Sequence, residues 1–94
     1  MKVYILVSEA CYEGEETGVE FEVYATCERA KNALRQAING ELAEGTHFGE
    51  MWNDPEQRKN LVIEEGESSW EVYENGWEAN NHASYYIAER EVTE

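Results

Sequence analysis

Few residues of this chain have the types and spacing that catalysis or metal binding requires. Cys27 is predicted to lie near the start of a helix, where the backbone dipole favours a thiolate, so it is a candidate nucleophile. The alternative, which we favour, is a small side chain packed beneath a sheet. Cys11, His47 and His82 could join Cys27 around a zinc ion, but nothing in their spacing predicts that they converge. Since the nucleophile, phosphate-loop and dinucleotide motifs are also missing, we expect no catalytic residue, no metal, no cofactor and no enzymatic activity.

Glutamate is the most unusual part of the composition. The 94 residues include 21 acidic and 7 basic side chains, for a formal net charge of −14. Residues 3–28 and 60–89 contain no Lys or Arg, and each of these stretches holds seven glutamates. Such a surface repels nucleic acid and anionic membranes and attracts basic protein surfaces. We therefore expect a basic protein surface as partner, and neither direct nucleic-acid binding nor membrane binding.

The first half of the chain predicts two strands and a helix. Residues 2–8 are apolar on both sides, which is typical of a central strand. Residues 19–25 alternate between apolar and mainly acidic side chains and predict a half-buried strand beside it. Thr26 is a plausible N-cap for a helix whose apolar residues recur at helical spacing as far as Leu42. Residues 45–60 have no sustained periodicity, so we predict an ordered loop or a short helical turn.

The second half predicts three more strands, over residues 61–65, 69–74 and 82–92. Asn75-Gly76 is the strongest local turn signal, because a type I′ turn needs positive φ at both central positions. The predicted order is ββαβββ over one domain, residues 1–94. We expect an α+β fold: a mainly antiparallel sheet of about five strands with one helix packed on one face.

Aromatic residues suggest a second kind of surface. Tyr85 and Tyr86 are adjacent on one strand and must point to opposite faces, so they cannot both lie under the same helix. Tryptophan and tyrosine are enriched at binding hot spots, which makes Trp77 and Tyr85 candidate partner contacts. A homodimer formed through the uncovered face of the sheet is the alternative to contact with a different protein.

The expected location is the cytoplasm. The apolar run over residues 3–7 is too short for a secretory leader or a membrane span. Two cysteines without zinc-type spacing are too few for a disulfide scaffold and favour a reducing compartment.

In its size, acidity and lack of motifs, the chain resembles the small inhibitors carried by phages and mobile elements, including anti-CRISPR and anti-restriction proteins. The resemblance implies a protein that blocks the basic nucleic-acid channel of its target. Averaged over its surface, the net charge is about one per 400 Å², against about one per 100 Å² on duplex DNA. Mimicry of DNA therefore requires the two acidic stretches to pool their glutamates on one face.

Our first hypothesis is thus an acidic inhibitor that binds a basic, nucleic-acid-binding protein surface. The alternative function is a self-associating structural or regulatory domain. The simpler explanation of the charge is that the glutamates only keep a small sheet protein soluble. The candidate partner-binding residues are Glu20, Glu22, Glu64, Glu65, Glu67, Glu71, Glu74, Glu78, Trp77 and Tyr85.

Overall fold

The computed structural model of the chain has an α+β fold built on a five-stranded antiparallel sheet. It describes residues 1–12, 15–74 and 81–93, and of residues 12 and 15–17 it describes only the backbone. The predicted fold class is confirmed, but the described residues form three helices rather than one. In chain order the elements are β1 (Lys2–Tyr12), β2 (Glu15–Tyr24), α1 (Cys27–Glu41), α2 (His47–Asn53), α3 (Pro55–Arg58), β3 (Leu61–Glu65), β4 (Ser69–Glu74) and β5 (His82–Glu91).

The strands lie in the order β2-β1-β5-β4-β3, and every neighbouring pair is antiparallel. The prediction of an inner strand near the N-terminus is confirmed, since β1 has neighbours on both sides. Leu6 and Val7 of β1 point to opposite faces and both are buried. The edges of the sheet are β2 and β3, one from each half of the chain.

The predicted helix is α1. Its N-cap is Thr26, whose hydroxyl oxygen accepts a hydrogen bond from the backbone N–H of Arg29 at 3.2 Å. Ala30 and Leu34, about one turn apart, are buried where α1 packs on the sheet. The helix continues through Gly40, so the Asn39-Gly40 pair does not end it.

For residues 45–60 the sequence predicted either an ordered loop or a short helical turn. The segment contains two short helices, α2 and α3. Thr46 caps α2 by accepting a backbone N–H bond at 3.0 Å, and Asp54 caps α3. Phe48 and Met51 of α2 are 0% and 3% exposed, so this segment supplies part of the core. Helices of seven and four residues are too short to show a clear hydrophobic period.

The strand register divides the sheet into two faces, because directly paired residues on antiparallel strands point to the same side. One side, the helix-covered face, carries the core together with buried residues of α1 and α2. The other side we call the open face. Tyr85 lies on the helix-covered face and Tyr86 on the open face, as predicted from their adjacency. The core cluster consists of Leu6, Leu34, Phe48, Met51, Trp70, Val72 and Ala83.

A candidate protein-binding surface on the open face

The open face carries exposed apolar side chains on β2 and β5, the two strands that flank β1, and the buried Val7 of β1 lies between them. Val19, Phe21 and Val23 alternate along β2 and are 50%, 65% and 64% exposed. Phe21 and Tyr86 pair with Val7 from its two sides, and the Tyr86 side chain is itself 48% exposed. We call these five residues, Val7, Val19, Phe21, Val23 and Tyr86, the open-face apolar patch.

This patch is a contiguous group rather than a set of scattered apolar residues. Ile5 lies beside Val7 on the same face and pairs with Val23, which extends the patch along β1 and β2. Contiguous exposed apolar surface on a small protein typically marks an interaction site.

Two glutamates of β2 lie on the other side of the same strand. Glu20 and Glu22 pair with Ser8 and Leu6, so they project toward the helix-covered face, and both are exposed at the edge of the sheet. The Tyr24 hydroxyl donates a hydrogen bond to the Glu22 carboxylate. This bond, with desolvation and the negative charge of Glu22, raises the pKa of Tyr24 above its ordinary value. Strand β2 is therefore apolar on one side and acidic on the other.

The remaining predicted glutamates lie around the opposite edge. Glu64 and Glu71 pair directly on the open face, whereas Glu65 lies on the helix-covered face and Glu67 in the connection between β3 and β4. The Glu74 carboxylate accepts a hydrogen bond from Asn81 at 2.8 Å and lies 3.6 Å from His47 Nε2. Its contacts are thus internal to the fold.

The sequence left open whether the two acidic stretches pool their glutamates on one face. The stretches meet where β1 pairs with β5, but their candidate glutamates lie elsewhere. The sheet order puts β2 and β3 at opposite edges, four strand spacings or about 19 Å apart. Within the described residues, the predicted glutamates are also divided between the two faces of the sheet. The pooled charge that DNA mimicry requires is therefore not formed by the candidate glutamates of β2, β3 and β4.

The aromatic candidates have different positions. Tyr85 is half-buried: it packs against Trp70 with ring centroids 6.2 Å apart, and its hydroxyl donates to Glu41 of α1, so its contacts lie on the helix-covered face. Trp77, Glu78 and the predicted Asn75-Gly76 turn lie outside the described residues.

Sequence reasoning missed the three apolar residues of β2. Their alternation with glutamate predicted a half-buried strand, but the apolar half points away from the helices. The signal that could have found them is residues 3–7: β1 is apolar on both sides, and only one side can lie under α1.

The two cysteines and two histidines do not converge on one point in the part of the chain that the structure describes. Cys11 and His82 are directly paired on the open face, but Cys27 begins α1 and His47 begins α2. No group of three or more His, Cys, Asp or Glu side chains among the described residues could hold a metal ion.

Comparison with known proteins found no matching family model, no similar curated protein and no similar solved structure. In the described ranges, no helix combines the length and apolar character needed to cross a membrane.

Proposed function

We propose that this chain is a non-enzymatic interaction domain that binds a basic partner protein through the open-face apolar patch and the glutamates beside it. The observation that carries the proposal is the exposure of Phe21 and its apolar neighbours on β2, beside Tyr86 of β5. Where the partner's basic surface is one that binds nucleic acid, the domain would inhibit the partner by covering that surface.

The apolar side chains supply the affinity in this proposal. Complete burial of a phenylalanine side chain is worth about 1.5–3 kcal/mol, so covering the 65% of Phe21 that is exposed would contribute about 1–2 kcal/mol. Val19 and Val23 on the same strand face would add to it. Phe21 is thus the expected hot spot.

The net charge of −14 supplies the preference for a basic partner. Glutamates beside an apolar patch attract basic surfaces during association and repel acidic ones, and salt weakens both effects. Glu9 belongs to this set, because it pairs with Val19 on the open face and is exposed.

Site-specific crosslinking tests this surface. A photoreactive phenylalanine analogue replaces Phe21, and the control carries it at Gln36, an exposed position of α1. Proteins captured only at the Phe21 position are identified, purified and titrated against the domain at low and high ionic strength. We expect a basic partner whose affinity falls with salt and falls about tenfold on Phe21→Thr. Trp52→Thr, which changes an exposed aromatic residue of α2, should leave the affinity unchanged. An affinity indifferent to both Phe21→Thr and salt would refute the proposal.

The second candidate is self-association of two open faces, and the same exposed residues favour it. Light scattering over a range of protein concentrations separates the two functions. A dimer that survives high salt and is lost on Phe21→Thr would support self-association, whereas a monomer at every concentration would remove it.

A further inference from the structure

We propose that the partner contributes a β-strand of alternating apolar and basic side chains, which pairs with the free edge of β2. This inference rests on the proposed function and names the element that the partner supplies. Within the described residues β2 pairs only with β1. Its register shifts at Thr17, next to Gly18 with φ 88°, and over the regular part, residues 18–24, the outer edge offers the backbone N–H and C=O groups of alternate residues. An added strand gains main-chain hydrogen bonds from such an edge and side-chain specificity from its two faces.

The other edge is a poorer template. Strand β3 is five residues long, whereas β2 is ten residues long, and each of the two edge strands contacts a helix on the helix-covered face. Natural sheets commonly protect an edge by keeping its strand short or by covering it. Strand β2 is not short, and within the described residues no strand pairs with its outer edge.

The side chains of β2 specify the pattern of the strand that fits. A strand paired with β2 shares its two faces, so one set of side chains lies beside Val19, Phe21 and Val23 and the other beside Glu20 and Glu22. Opposite charges paired across strands stabilise a sheet, as do apolar pairs. Alternate apolar and basic residues satisfy both faces at once.

A second copy of this chain fits this edge poorly. If two β2 strands pair antiparallel about Phe21, Glu20 of each copy lies opposite Glu22 of the other. If the pairing is centred on residue 20 instead, Glu20 of one copy lies opposite Glu20 of the other. If it is centred on residue 22, Glu22 lies opposite Glu22. Every one of these registers pairs like charges, which destabilises a sheet. The glutamates thus oppose self-pairing while they favour a basic strand.

Synthetic peptides test the inference without knowledge of the partner. One peptide of about eight residues, the length of an ordinary strand, alternates Lys and Val; its control has the same composition with the lysines and valines in separate blocks. We expect the alternating peptide to bind at least about tenfold more tightly, and to protect the β2 amides from hydrogen exchange. Equal binding of the two peptides, or protection at β3 instead, would overturn the proposal.

Backbone methylation tests for strand pairing itself. The test form of the alternating peptide is methylated on the backbone nitrogens of both its lysines and its valines, so it loses the N–H donors of both edges whichever way it runs along β2. It should lose at least about tenfold in affinity relative to the unmethylated peptide. Unchanged affinity would show that charge and apolar contact suffice without a shared sheet.

Matched charge variants locate the site. Glu20→Gln with Glu22→Gln should weaken binding of the alternating peptide about tenfold. Glu64→Gln with Glu71→Gln removes the same charge from β3 and β4, away from β2, and should have little effect. Equal losses would assign the binding to net charge and overturn the proposal. If binding of the intact partner protein depends on Phe21 but the peptides fail these tests, the proposed function stands and the strand inference fails.

Discussion

Replacing Glu20 with lysine is expected to make two copies of this chain pair through β2. In the register centred on Phe21, the introduced lysine of each copy would lie opposite Glu22 of the other copy. Two like-charge pairs would become two opposite-charge pairs, and the apolar residues of the two strands would form one continuous strip. A substitution that removes acidity at the edge would therefore create an interface.

The register gives the size of the effect. A pair of opposite charges directly across two strands contributes about 0.2–1 kcal/mol, and a pair of like charges costs a similar amount. Each of the two pairs thus changes by about 1 kcal/mol, and together they favour the dimer by about 2 kcal/mol, or roughly 30-fold in its dissociation constant.

Sedimentation equilibrium of Glu20→Lys at several protein concentrations measures this change. Glu44→Lys is the control, because it alters the net charge equally at an exposed position after α1. The double variant Glu20→Lys with Glu22→Lys is less acidic still, yet it again places like charges opposite each other and should lose the dimer. Equal association of all three variants would refute the reasoning, since net charge alone would then govern it.

Two further predictions concern the scaffold. Because the Tyr24 hydroxyl donates to Glu22, which raises its pKa, ultraviolet titration should show Tyr24 ionising above the ordinary pKa of 10.0, and Glu22→Gln should lower the pKa of Tyr24. The contribution of this contact to the free energy of unfolding is present below the ordinary tyrosine pKa and is lost as the pH rises through the raised pKa of Tyr24. A titration curve that Glu22→Gln leaves unchanged would contradict this prediction. Gly49→Ala should lower the free energy of unfolding by about 1–3 kcal/mol, because its Cβ would lie 1.8 Å from the carbonyl oxygen of Ala43. A Cβ at Gly40 would have no atom within 4 Å, so Gly40→Ala should instead stabilise α1 by up to about 1 kcal/mol. Chemical denaturation measures both variants, and equal free energies of unfolding would contradict this packing.

The sequence by itself determined the elements whose signals are local. Thr26 satisfies a backbone N–H at the start of α1, and the apolar residues that follow recur at helical spacing, so that helix could be predicted from a short window. Residues 2–8 are apolar on both sides, which predicted an inner strand. Helices α2 and α3 could not be predicted in the same way, because each is too short for a periodic pattern and α2 is held in place by burial of Phe48 and Met51.

Only the tertiary structure decided which side of β2 faces solvent and which strands are neighbours. Alternation along β2 separates apolar from acidic side chains, but a one-residue change in register would exchange the two faces. The pairing of Phe21 with Val7 resolves this, because it places both away from α1. Strand order depends on contacts between distant parts of the chain, and it separated the glutamates of β2 from those of β3. The acidic residues were visible in the sequence, but the apolar patch beside them exists only because the helices cover one side of the sheet.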